Sequence, residues 1–236
     1  MALSLLYADE QLVAVDKPAG QLVIPGRGAP ETTLYDEAQE AYGRLWVVHR
    51  LDRGTSGVVL FPRTAEAHRT LNLAFDRREV AKRYLALVRG APPPEARIEV
   101  PIAPARRGRM RPARPGDARA KQAATVVRLL SVYRPRPPLP GMALVEIFPE
   151  TGRTHQIRVH LAWAGTPLAV DPDYGDRGPL VDAAGEIRLE RTPLHAASLE
   201  FHHPTTRVTL RIEAPLPEDM ARTIIAAGGS GTGARV

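Results

Sequence analysis

A carboxylate held between two cations can attack an electrophilic carbon, and one such arrangement occurs in the run His49-Arg50-Leu51-Asp52-Arg53-Gly54-Thr55-Ser56-Gly57. Asp52 lies in a turn rich in hydroxyls and glycines. Apolar runs at 45–48 and 58–61 flank it and are expected to be strands that give the turn a rigid base. Nearby positive charge favours the ionised carboxylate that a nucleophile requires. The same aspartate would also serve as a salt-bridged cap in a purely structural turn. A second cluster, Thr151-Gly152-Arg153-Thr154-His155-Gln156-Ile157-Arg158-Val159-His160, follows a strand-like run and opens a helix. It gathers Arg153, His155, Gln156 and Arg158 at a helix start, which suits phosphate or carboxylate partners; the plainer reading is a surface helix with solvated arginines. In the third cluster, Lys82-Arg83-Tyr84-Leu85-Ala86, a strand would place Lys82, Tyr84 and Ala86 on one face. Tyr84 there could stack on a base, accept a proton, or simply pack.

These groups need a scaffold, and short β-branched runs dominate the chain. Strands are expected at 11–16, closed by the turn Lys17-Pro18-Ala19-Gly20, and at 82–88, 126–130, 143–148 and 207–213, with Val208, Leu210 and Ile212 facing one way. Helices are expected at 64–78, capped by Thr64 and carrying Ala67, Leu71, Ala74 and Phe75, and at 155–164, ended by Gly165. A short third helix is expected at 217–227. Many strands with few, irregularly placed helices predict an α+β fold with a mixed, mainly antiparallel central sheet flanked by helices and loops. A regular alternation of strand and helix is absent, which argues against a doubly wound fold. Loops are expected at 26–30, 90–95 and 106–121; the last has seven basic residues against one acid, Asp117, with Pro112, Pro115 and Gly116 breaking regular structure. The final GGSGTGARV reads as a flexible tail, so Gly231-Thr232-Gly233 is not a phosphate loop: no strand precedes it and no helix follows.

The chain has 236 residues and a net charge of +6, enough length for a sizeable core and a charge balance that attracts polyanions. It has no cysteine, which excludes disulfides, thiolate metal sites and a cysteine nucleophile. The N-terminal run is too short and lacks the basic start of a signal peptide, and no segment approaches 18 uninterrupted apolar residues, so a cytoplasmic location is expected.

Taken in order, HRLDRGTSG, KRYLA, TGRTHQIRVH and LHAASLEFHHP, with the opening DEQLVAVDKPAGQLVIPG, resemble the RluA-type RNA pseudouridine synthase family from about residue 8 to 215. The resemblance implies a pseudouridine-synthase-like catalytic fold over residues 1–220, with 221–236 as the C-terminal end, and an isomerase that needs no cofactor or metal. It implies that Asp52 is the catalytic aspartate. Tyr84 becomes the active-site tyrosine against the base, and Arg158 the basic residue that pairs with the aspartate. Arg50 would help hold the nucleotide site open. Arg53 and Thr55 from the same turn, Arg153, His155 and Gln156, and Arg106, Arg107 and Arg109 from the basic loop are candidate substrate contacts. The substrate implied is structured RNA, a ribosomal or transfer RNA stem-loop, bound by a monomer with no membrane and no obligate protein partner. Two departures stand out. Val170 precedes Asp171 where the family commonly has glycine, which puts that turn in question, and the catalytic pattern starts almost at once, so no S4-type RNA-binding module is expected and affinity is expected to come from the catalytic domain and its 106–121 loop.

Two other classes compete. A metal hydrolase would gather His49, His155, His160, His195, His202 and His203 with Asp52 and Asp171, but there is no HExxH or other tight ligand spacing. A non-catalytic RNA-binding protein with this fold would not need Asp52, Tyr84 and Arg158 together.

Overall fold

Strand β2 (Leu12–Lys17) and strand β3 (Ser56–Pro62) are buried along nearly their whole length, so both faces of this pair must be covered. The computed structural model describes residues 3–26 and 31–229. Most of the expected 26–30 loop, and the Gly231-Thr232-Gly233 stretch with the rest of the tail, lie outside the described residues. The chain forms two compact units, Met1–Lys82 with Ala196–Pro215, and Arg83–His195 with Leu216–Val236.

The first unit opens with β1 (Ser4–Ala8), β2, helix α1 (Leu34–Tyr42), β3 and helix α2 (Ala65–Asp76). The β2–β3 register sets Lys17 opposite Gly57 and Leu12 opposite Pro62, antiparallel. Alternate residues point to opposite faces. Leu12, Ala14, Val58 and Leu60 therefore meet Ala67 and Leu71 of α2 in one core cluster. On the other face Phe61 meets Tyr35 of α1, with ring centroids 6.0 Å apart. Thr64 caps α2, its side chain accepting from the Ala67 N–H, as the sequence predicts. Helix α1 was not expected; Thr33 and Asp36 form a reciprocal capping box at its start.

The second unit continues with β4 (Ala81–Arg89), which begins at the boundary, β5 (Glu95–Glu99), β6 (Ile102–Pro104), β7 (Met110–Pro112), β8 (Ala124–Tyr133) and β9 (Met142–Pro149). Helix α3 (Gln156–Trp163), β10 (Leu180–Val181) and β11 (Ile187–Leu189) follow. Strands β4-β9-β8-β5 lie side by side in that order, antiparallel throughout. Ala86, Val88, Val145 and Ile147 on one face pack against Ile157 and Leu161 of α3. Leu87, Met142 and Leu144 on the other pack against Leu180, Leu189 and helix α4 (Glu218–Ala226) through Met220 and Ile224. Before α4 the chain returns to the first unit with β12 (Leu194–His202), a neighbour of β3, and β13 (Thr209–Glu213), antiparallel to β12. The mainly antiparallel α+β architecture predicted from the sequence is the one observed.

Three local expectations need correction. Residues 45–48 are not a strand: Trp46 donates one N–H to Pro62 (2.9 Å) without building a ladder. The run expected from 207 starts only at Thr209, because Arg207 has φ 60°; Val208 is 61% exposed while Ile212 is buried. The basic 106–121 stretch is partly regular. Strand β7 pairs with β6, Pro104 opposite Met110, and Ile102 and Lys121 exchange two backbone hydrogen bonds of 2.9 Å. Its prolines and glycine fall at the strand end and in the turn that follows, where no ladder N–H is lost.

Candidate functional site

In the first unit, the turn that carries Asp52 is clamped by the Lys17-Pro18-Ala19-Gly20 turn. The Lys17 ammonium is wholly buried and donates to the carbonyls of Pro18 (2.8 Å), Gln21 (2.7 Å) and Arg53 (3.2 Å). Gly20 N–H donates to Arg53 O at 2.8 Å, and Arg53 Nε returns a bond to Gly20 O at 2.9 Å. Thr55 N–H donates to Asp52 O at 3.0 Å and closes the turn. Gly57 follows with φ 115°, and a Cβ there would lie 2.7 Å from the backbone nitrogen of Ala196, so no other residue fits without moving the strands. His49 supports the turn from behind. Its Nε2 accepts the Leu60 N–H at 2.9 Å, and its ring stacks on Phe75 with centroids 5.0 Å apart. Burial, with Lys82 as a nearby positive charge, pushes its pKa down to about 4, so the ring is neutral at pH 7. Asp52 is half-buried, Thr55 is buried, and Arg50 and Arg53 are exposed; Arg53 also pairs with Glu31 at 2.9 Å.

In the second unit, helix α3 is buried from Gln156 through Leu161, including three polar side chains, and buried polar groups must be paired. Gln156 accepts from the Thr151 hydroxyl (2.6 Å) and the Arg153 N–H (3.0 Å) and donates to Ala124 O (2.9 Å) and Thr125 Oγ1 (3.0 Å). Both ends of its amide are thus used inside the protein, and it acts by holding the 151–155 loop rather than by reaching solvent. His160 Nε2 donates to Val100 O (2.9 Å) and its Nδ1 meets Thr125 Oγ1 (2.9 Å); burial lowers its pKa. Arg158 forms a forked ion pair with Asp171, Nε to Oδ2 at 2.9 Å and Nη2 to Oδ1 at 2.6 Å, and reaches Asp173 at 2.9 Å. Burial raises the Asp173 pKa, but the Arg158 hydrogen bond and the charges of Arg158, Arg109 and His155 outweigh it and hold the carboxyl below its usual range.

The same acidic turn ties down other residues that the sequence singles out. Arg109 Nε pairs with Asp173 at 2.9 Å. His155, with φ 53° at the start of α3, places Nδ1 2.8 Å from the Tyr174 hydroxyl, and that hydroxyl also accepts the Met110 N–H at 2.8 Å. The Arg158 guanidinium lies 4.9 Å from the Tyr174 ring centre. The turn closes without the family's glycine: Val170 is a core residue, and Asp171 Oδ1 accepts the N–H groups of Asp173 (3.0 Å) and Tyr174 (3.2 Å). Tyr84 is half-buried on β4, opposite Ile147 of β9. Arg106 and Arg107 are exposed at the tip between β6 and β7, and Arg153 is partly exposed, its Nε 3.3 Å from Gln122 O. In sum, the second unit unites Arg158, His155 and Arg109 around Asp171, Asp173 and Tyr174, while Arg50, Asp52, Arg53 and Thr55 share one turn of the first.

Sequence reasoning missed the bracing roles of Lys17, Asp173 and Tyr174. Two acids one residue apart, just before a tyrosine and downstream of a basic helix, were the available signal. Among the described residues no three of the histidines and acids gather as a metal-holding group. No helix among them is long and apolar enough to cross a membrane.

A family model described as RNA pseudouridylate synthase matches residues 11–163. The ribosomal large subunit pseudouridine synthase D of Xanthomonas campestris pv. campestris is 39% identical over 236 residues, covering 95% of this chain and 69% of that protein. Its namesake in Nitrosomonas europaea is 39% identical over 228 residues, covering 93% and 63%. The chain therefore spans about two thirds of the length of these relatives. The solved structure of human RNA pseudouridylate synthase domain containing 4 superposes with a TM-score of 0.74 at 25% identity, covering 95% of this chain and 92% of that one. Human RNA pseudouridylate synthase domain containing 1 gives the same score and identity over 91% and 83%.

Proposed function

The chain belongs to the RNA pseudouridylate synthase family, and we propose that it isomerises specific uridines of ribosomal RNA with Asp52 as nucleophile and with no cofactor. The observation that carries this reading is the Asp52 turn, a half-buried carboxylate whose own carbonyl accepts from Thr55 N–H and whose neighbour Arg53 has its carbonyl held by Lys17 and Gly20. Such immobility is what a positioned nucleophile requires. The ribosomal target is supported by the names of the relatives, which act on the large ribosomal subunit. Acting on ribosomal RNA, the enzyme would work in the cytoplasm. Residues 1–220 are the catalytic domain, acting as a monomer.

The target uridine must leave its stack, because a base inside a duplex cannot be turned over. The N1–C1′ bond breaks, the uracil turns, and C5 joins C1′; C5 loses a proton and N1 gains one, so product and substrate are isomers. Asp52 attacks the sugar or the uracil ring. Tyr84 lies against the base and is the candidate for the C5 proton transfer. Arg158 is the basic residue that the resemblance assigns to the catalytic aspartate, and the Asp171 fork holds its guanidinium in a single orientation. Arg50, Arg53, Arg106, Arg107, Arg109 and Arg153 meet phosphates, which position RNA without reading its sequence. His155 and Gln156 support that loop.

The test uses unmodified ribosomal and transfer RNA carrying tritium at uracil C5. Wild type should release tritium to water without added metal or cofactor, and Asp52→Asn should be slower by at least about a thousandfold. Substantial activity in Asp52→Asn would remove the nucleophile assignment. Release from transfer RNA alone would remove the ribosomal target and leave the chemistry standing.

A further inference from the structure

Among the described residues, the four non-glycine positions with left-handed backbone are all basic: Arg78, Arg107, His155 and Arg207, with φ between 53° and 62°. Such backbone strains a side chain, and glycine, asparagine or aspartate is its usual occupant. One of the four, Arg207, lines a groove of the first unit, and a second, Arg78, lies in the chain between two residues that line it, Arg77 and Glu79. Arg78 stands just past the end of α2, where Arg77 N–H donates to Leu73 O and Glu79 N–H to Ala74 O, both at 2.9 Å. Glycine is the common residue at this place in a helix end. Arg207 closes the turn between β12 and β13, where His203 N–H donates to Val208 O (2.9 Å) and Arg207 N–H to His203 O (3.0 Å). A hairpin turn of this kind also favours glycine.

The lining of the groove combines Leu73 and Ala74 with Arg77, Glu79, His202 and Arg207. Leu73 is 44% exposed, and Glu79 is the one acid in the lining. Among the described residues, Arg77, Arg78 and Arg207 form no side-chain hydrogen bond or ion pair, so none of the three guanidiniums is used to hold the fold. Lys82 adds further positive charge beside Arg78. Two strained turns thus keep an exposed cation where glycine would sit without cost, Arg207 in the lining of the groove and Arg78 next in sequence to its lining residue Arg77.

We infer that this groove is a second track for the RNA backbone, in which Arg77, Arg78 and Arg207 meet phosphates and a ribose lies on Leu73. The inference rests on the reading that the substrate is RNA. Guanidinium forks suit phosphate oxygens, and a groove of this charge sign suits a polyanion. The track belongs to the first unit and adds to the basic β6–β7 hairpin of the second.

The test is the double variant Arg78→Gly/Arg207→Gly, which removes two cations and relaxes both turns. Its thermal midpoint should stay level or rise. Its affinity for in vitro transcribed large-subunit ribosomal RNA should fall about tenfold near ~0.1 M salt, and the slope of log affinity against log salt should become shallower by about 1 to 2. Arg78→Lys/Arg207→Lys should recover most of the affinity. Arginines that only serve the fold would show the opposite pattern, with a lowered midpoint and unchanged RNA affinity, and that result overturns the inference. Unchanged affinity and slope beside an active wild type would likewise reject the groove while leaving the proposed reaction intact. A wild type that neither binds RNA nor releases tritium would reject the reading beneath both.

Discussion

Replacing Asp171 by alanine should cost the second unit about 3 kcal/mol. Arg158 and Asp171 have side chains only 7% and 1% exposed, joined by two short bonds. Removing one partner of a buried ion pair typically costs about 3–5 kcal/mol, because the other charge stays in a low-dielectric interior. Asp173 still offers Arg158 a carboxylate at 2.9 Å, which draws the estimate to the lower end. The lost acceptor for the Asp173 and Tyr174 N–H groups adds to the cost. For a chain of this size the drop corresponds to a thermal midpoint lower by roughly 6–12 °C. Denaturant titrations of Asp171→Ala, Arg158→Met and the double variant form the assay. In the double variant the stranded guanidinium is gone, so its cost should fall short of the sum of the singles by about 2 kcal/mol. Additive costs, or a single variant within about 1 kcal/mol of wild type, would refute the claim that this pair organises the turn.

Two further outcomes are expected. His49 is neutral in the fold with its pKa near 4, against an ordinary 6.5, so the unfolded chain binds the extra proton between those values. Stability should be complete above pH ~6.5 and fall by up to about 3 kcal/mol as pH drops toward 4; urea midpoints at several pH values should show this slope, and His49→Gln should flatten it. An unaltered slope in His49→Gln would place the titration elsewhere. Gly57→Ala and Gly20→Ala share the cost of left-handed backbone, about 1–2 kcal/mol, but only at Gly57 does the new methyl meet strand backbone. Gly57→Ala should therefore be the more damaging by at least about 2 kcal/mol in the same urea assay. Equal costs would show that the strands yield at that point.

Periodicity and caps carried much of the fold. Thr64 announced α2, Gly165 the end of α3, and the apolar runs of β2, β3, β8 and β9 stood where they were expected. Helix α1 was hidden because its buried face is narrow, with only Leu34 and Ala38 buried, so its sequence shows more charge than pattern. The 45–48 run misled because apolar content alone does not form a ladder; its polar backbone is satisfied by Pro62 and by the Tyr35 hydroxyl on Leu45 O. The β6–β7 hairpin was masked by proline and arginine, both compatible with a short edge pair. In the candidate site the residue types were legible, but the division of labour was not. Gln156 looks like a surface polar group in the sequence, and only the fold shows its amide filled from four sides.

Lys17 behaves as a resident ion. Three carbonyl oxygens from two separate loops converge on one ammonium, much as a cage of oxygens encloses a metal cation, except that this ion is tethered and cannot dissociate. An amine so enclosed is out of reach of acylating reagents while the chain is folded. Its modification therefore counts the molecules that have opened the Asp52 turn, and a chain acylated there beforehand would have no cation with which to close it.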